Sequence, residues 1–123
     1  MVLKVIKWDQ IAVWNFTLIP NEFTILHTHV RDYYFVVTQP SVLEVYNYNC
    51  EALFNFTSDL GVMGFKLKED ELIPIDKDII LQYVLPKTHA AKNVGNNIYN
   101  EILIELKLPL NSNNYKLPRA LFL

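Results

Sequence analysis

The 123-residue sequence is short of three reactive or flexible residue types: it holds one Cys, three Gly and three His. A lone cysteine, Cys50, excludes an internal disulfide framework and any zinc site built on several thiolates. With 11 Lys and Arg against 13 Asp and Glu, the net charge is −2, so the basic footprint of a nucleic-acid binder is missing. No apolar run approaches the roughly 20 residues of a membrane span. Lys4 and Lys7 interrupt the stretch Met1–Trp8, which therefore does not read as the apolar stretch of a secretory signal. Together these absences imply a cytoplasmic protein with neither nucleic acid nor membrane as partner. The Asn-Phe-Thr triplets at Asn15 and Asn55 then read as accidental glycosylation sequons.

What is abundant is strand-forming residues. Val, Ile, Thr, Phe, Tyr and Trp supply 44 of the 123 residues, while Ala supplies five. Side chains branched at Cβ or carrying a ring suit a pleated, half-buried surface. Short runs of them are separated by polar, Pro- or Asn-containing breaks: Val2–Trp8, Ile11–Ile19, Thr24–His29, Tyr33–Thr38, Val42–Tyr48, Leu53–Thr57, Val62–Leu67, Leu72–Ile75, Ile79–Leu85, Thr88–Lys92 and Ile98–Leu108. No helix competes with them. Ser58-Asp59-Leu60-Gly61 reads as the turn of a hairpin, and Val94-Gly95-Asn96-Asn97 as a tight turn in which Gly and Asn tolerate positive φ. This spacing predicts an all-β sandwich or barrel. With no linker, repeat or composition shift, residues 1–123 form one domain. The apolar tail within 109–123 is too short for a core of its own and must pack on the barrel or on another subunit.

The histidines are where chemistry enters. His27 and His29 stand two apart on a predicted strand, so both imidazoles point to one face. Neighbouring neutral imidazoles suit a divalent transition metal. The same alternation adds Arg31 and Tyr33 to that face. His89 lies 60 positions after His29, and a barrel can bring it beside the pair.

The run Pro20-Asn21-Glu22-Phe23-Thr24-Ile25-Leu26-His27-Thr28-His29 resembles the first motif of the cupin superfamily: a glycine, five residues, His-x-His, a glutamate further on, and a closing glycine. Asn21 stands at the first glycine, a mild swap because Asn visits the left-handed region. His89-Ala90-Ala91-Lys92-Asn93 resembles the His-x-x-x-Asn end of the second motif. Trp14-x-Phe16, His27-x-His29 and Asp32-Tyr33 are similar to a pattern in small cupins labelled as β-alanine degradation proteins. The resemblance covers about residues 11–108 and implies a cupin-type double-stranded β-helix, a jelly-roll barrel. The departures are specific. Tyr33 and Tyr34 occupy the two places where the motif glutamate falls, Pro40 stands near its last glycine, and Val84 and Pro86 replace the proline and inner glycine of the second motif.

With the carboxylate ligand gone, the resemblance implies a three-histidine site of His27, His29 and His89. An all-imidazole set adds no ligand charge and favours Fe, Zn or Ni over Mg or Ca. Tyr33 or Tyr34 would serve as catalytic proton donor, or as aromatic filling. Three functions stand open. The first is a metal-dependent enzyme, dioxygenase-like or of lyase or isomerase type, on a small polar metabolite. The second is a non-catalytic binder of a small-molecule ligand. The third is a structural cupin acting through subunit contacts. Small cupins imply a homodimer. Arg31, Lys87 and Lys92 are either partners for an acidic substrate or rim charges. Asn93 pins a turn, Glu101 and Glu105 face solvent, Cys50 is not a nucleophile, and Trp8 and Trp14 are core or interface anchors.

Overall fold

A computed structural model describes residues 2–7, 10–76 and 84–108, for 2–7 by the backbone alone. Eleven strands run in chain order: β1 (Val2–Lys7), β2 (Ile11–Leu18), β3 (His27–Thr28), β4 (Tyr33–Gln39), β5 (Val42–Tyr46), β6 (Ala52–Thr57), β7 (Gly61–Lys68), β8 (Glu71–Pro74), β9 (Leu85–Pro86), β10 (Thr88–Asn93) and β11 (Tyr99–Leu106). All pairings are antiparallel. They build a seven-stranded sheet, β1-β2-β11-β4-β7-β8-β9, and a four-stranded sheet, β3-β10-β5-β6. Among the described residues no helix is long and apolar enough to cross a membrane. Trp8, most of the expected strand Ile79–Leu85, and the tail 109–123 lie outside the described residues.

Alternation along each strand divides the side chains between an interior and an outer face. Leu18 of β2, Tyr33, Phe35 and Val37 of β4, Leu43 and Val45 of β5, Phe65 of β7, and Tyr99 and Leu103 of β11 share one buried cluster inside the barrel. The intervening residues of the large sheet form a second cluster on its outer face, where Ile11, Val13 and Leu106 are buried with Tyr34, Ile102 and Ile104 packed against them.

Two expectations are corrected. β6 and β7 are not a hairpin: β6 pairs with β5, and β7 with β4 and β8. The connection between them carries the chain from one sheet to the other, and Gly61 begins β7 at φ 144°, a conformation open to glycine. The expected strand Thr24–His29 shrinks to β3. Its residues still run along β10, with the Thr24 amide donating to the Ala91 carbonyl (2.8 Å) and the His29 amide to the Lys87 carbonyl (2.9 Å). At the start of that segment Asn21 holds φ 71°, as its place at a motif glycine required.

Asn93, wholly buried, ties the end of β10 to its surroundings. Its Nδ2 donates to the carbonyls of Leu18 (2.9 Å) and Asn97 (2.7 Å), and its Oδ1 accepts from the Ser41 hydroxyl (2.8 Å) and the Gly95 amide (3.0 Å). Gly95 serves this knot through close approach rather than positive φ: a Cβ there would lie 2.2 Å from Ser41 Oγ and 3.0 Å from the Val42 nitrogen.

Candidate metal centre

β3 and β10 set the site by register. His27 is directly opposite His89 across the pair, so both rings leave the same face, and His29 follows two residues on. On the other face the hydroxyls of Thr28 and Thr88 bond to one another at 2.8 Å. The ring centroids are 4.7 Å apart for His27–His89 and 5.0 Å for each of the other two pairs. One nitrogen of each ring lies within 4.8 Å of the other two, a span a single ion can bridge.

The backbone orients two of the three rings. His27 Nδ1 is 2.8 Å from the Ile25 carbonyl and His89 Nδ1 is 2.7 Å from the Pro86 carbonyl. A carbonyl only accepts, so each Nδ1 carries the proton and each Nε2 keeps its lone pair for a ligand. His29 is held by stacking on Tyr33, with centroids 4.4 Å apart and planes 21° off parallel. Burial disfavours the charged form of all three. Burial, then His89 and His27, push His29 down to about 2. Burial and His27 push His89 down to about 4 against the pull of the Pro86 carbonyl. Burial lowers His27 against the pull of the Ile25 carbonyl. At neutral pH the site therefore presents three neutral nitrogen donors, which is what a divalent transition metal takes.

Two cavities meet at His27 and His29, and His89 lines the inner of them. The inner one, about 100 Å³, runs into the barrel past Phe16, Tyr33, Phe35, Phe54, Phe65 and Tyr99. The outer one, about 240 Å³, is lined by Trp14, Phe16, Ile25, Leu103 and Glu105 among others, and shares His27 and His29 with the first. Tyr33 lines the inner cavity and is buried. Burial and nearby Glu101 push its hydroxyl well up, so it stays protonated.

Tyr34, the other expected proton donor, is turned away. As the next residue on β4 it lies on the outer face, against the Ile11–Val13–Leu106 cluster, and it lines neither cavity. The basic residues are also outside them. Lys87 pairs with Asp70 at 2.9 Å, Lys92 sits 5.1 Å above the Phe23 ring, and Arg31 is exposed.

Two residues read as solvent-facing do the opposite. Glu101 lines the inner cavity and Glu105 the outer one. The Tyr99 hydroxyl donates to Glu101 Oε1 at 2.9 Å, and Trp14 Nε1 donates to Glu105 Oε1. Burial raises Glu101 to about 7, against the stabilising bond from Tyr99. The strand register could have signalled this, because Glu101 and Leu103 share a face with Phe16 and Trp14 of β2.

No protein-family model matches the sequence, and no curated protein matches it. Solved structures do. A cupin domain from Bordetella pertussis superposes with TM-score 0.63 at 15% identity, covering 88% of this chain and 93% of that one. The chain has the cupin fold. An RmlC-like cupin family protein with a double-stranded β-helix fold from Methanocaldococcus jannaschii gives TM-score 0.52 at 9% identity, over 86% of this chain and 78% of that one. A double-stranded β-helix protein from Klebsiella pneumoniae gives 0.54 at 14%, over 91% and 75%. Within this cupin barrel the three histidines are the only group of three or more His, Cys, Asp or Glu, among the described residues, placed to hold a metal ion.

Proposed function

We propose that this cupin barrel is a metal-dependent enzyme for a small molecule with an apolar body. The observation that carries the reading is the convergence of three neutral imidazoles, two with Nδ1 fixed by backbone carbonyls, at the junction of two cavities. His27, His29 and His89 would hold iron, zinc or nickel. Three neutral imidazoles leave positions open, and a bound metal there supplies a Lewis acid or, as iron, one-electron chemistry with dioxygen.

The chain's own residues do the rest. The aromatic walls exclude water and hold the substrate body, which replaces the polar metabolite expected from sequence with a molecule apolar along most of its length. Tyr33, protonated and packed on His29, donates a hydrogen bond to a substrate oxygen near the histidines. Tyr34 has no part. The second reading, a binder without turnover, is favoured by one observation: the inner wall is mostly hydrocarbon.

A homodimer in the cytoplasm completes the proposal. Among the described residues β1 and β6 are sheet edges, which need covering, and an exposed free Cys50 fits a reducing compartment. Sedimentation checks the first. Metal analysis after supplementation tests the site: near one divalent ion per chain in the natural protein, and loss of it in both His29→Ala and His89→Ala, is the expected result. Metal-free natural protein, or full occupancy in the variants, overturns the reading.

A further inference from the structure

Among the described residues, Glu101 is a carboxyl on the wall of an aromatic chamber without a cationic partner. Among the described residues, neither Lys nor Arg lines the inner cavity, and the hydrogen bond given to Glu101 comes from Tyr99 on the same strand. Its cross-strand neighbours are Phe16 on β2 and Val37 on β4. An ionised carboxylate in such surroundings is costly unless the group keeps its proton or a counter-charge meets it. The described lining of the cavity provides none. A second feature points the same way: Phe16, Tyr33, Phe35, Phe54, Phe65 and Tyr99 all present rings to the cavity, and ring faces attract a cation.

We propose that Glu101, supported by Tyr99, is the recognition point for an amine on the ligand, so that this barrel takes small apolar or aromatic primary amines. The inference rests on the reading of the barrel as a small-molecule site and names the chemistry of one part of its wall. The ammonium supplies the missing counter-charge, accepted by Glu101 and bordered by aromatic faces, while the apolar body extends along the chamber toward the histidines. Size bounds the ligand. A cavity of about 100 Å³ is well above the roughly 10–15 Å³ that admits one water and suits only a small ligand. Benzylamine, benzyl alcohol and toluene match that size and differ at one group.

The test is calorimetric titration of chelator-treated protein at pH 8 with these three probes. Benzylamine should bind at least tenfold tighter than benzyl alcohol or toluene. Glu101→Gln, which keeps an acceptor for Tyr99, should bring benzylamine down to the level of benzyl alcohol. Equal binding of the three probes by the natural protein overturns the proposal, and so does a benzylamine preference that survives Glu101→Gln. If the variant does not fold, the preference of the natural protein and its partial loss in Tyr99→Phe decide the matter. The amine titration is metal-free and the metal analysis is separate, so zinc uptake with no amine preference refutes this subsite alone. Amine preference without zinc uptake refutes the metal centre alone.

Discussion

Replacing Glu101 by Gln should change how stability depends on pH by an amount that the structure fixes. In the folded chain Glu101 titrates near 7 instead of 4.5, because the barrel interior disfavours its charged form. Its folded value is raised, so its contribution is fully present below pH 4.5 and is lost as pH climbs through 7. Between those limits the folded state holds a proton that the unfolded state has released, and stability falls with rising pH. At about 1.4 kcal/mol per pKa unit, the interval of roughly 2.5 units corresponds to about 3 kcal/mol. His29 and His89 act with the opposite sign. Their folded values, about 2 and about 4, lie below the ordinary 6.5. The stability they contribute is present above pH 6.5 and drains away as the unfolded chain protonates in acid. In the natural protein Glu101 therefore offsets part of the acid sensitivity of the histidines. Urea unfolding of metal-free protein at pH 5, 6, 7 and 8 reads the balance. The stability of Glu101→Gln relative to the natural protein should rise by about 2.5 kcal/mol from pH 5 to pH 8, since part of the interval lies below pH 5. Parallel curves for the two proteins would refute an inward, desolvated Glu101.

Two further substitutions probe the packing that holds the site. Asn93→Ala removes four hydrogen bonds from a wholly buried residue and should cost about 4 kcal/mol at roughly 1 kcal/mol each; a loss below about 1 kcal/mol in urea unfolding would show that water replaces the knot. Gly64→Ala places a Cβ 2.5 Å from Tyr34 Cε1 and 2.8 Å from Ile75 Cδ1. Such overpacking costs about 1–3 kcal/mol, and Tyr34→Leu in the same chain should recover part of it. Failure to recover any would contradict the stacking of Tyr34 over Gly64.

Much of the site was legible because strand alternation is a strict period of two. It placed His27, His29 and Tyr33 on one face, and the motif spacing paired His89 with them. What alternation cannot say is which face is the interior. On β11 the more apolar set is Ile102, Ile104 and Leu106, and the set containing Glu101 and Glu105 looked like the wet face. The fold reverses this because the barrel interior is a cavity, where a carboxyl can have a use, while the outer face of the large sheet carries its own apolar cluster. The same ambiguity separates Tyr33 from Tyr34. The false β6–β7 hairpin has another cause. A turn sequence reports that the chain bends at Ser58–Gly61, not whether the strands beyond it pair with each other or with distant partners.

The histidines stand on the small sheet's β3 and β10, or just beyond, whereas Tyr99, Glu101, Leu103 and Glu105 form a row on β11 of the large one. On the proposed reading, metal binding and ligand selection thus fall on separate sheets, with Tyr33 of β4 reaching from the large sheet to the histidines of the small one. Substitution along the β11 row can retune what the barrel accepts while the three nitrogens, and the carbonyls that aim two of them, stay where they are. On that reading, a lineage carrying this arrangement can change what it binds without rebuilding its metal centre.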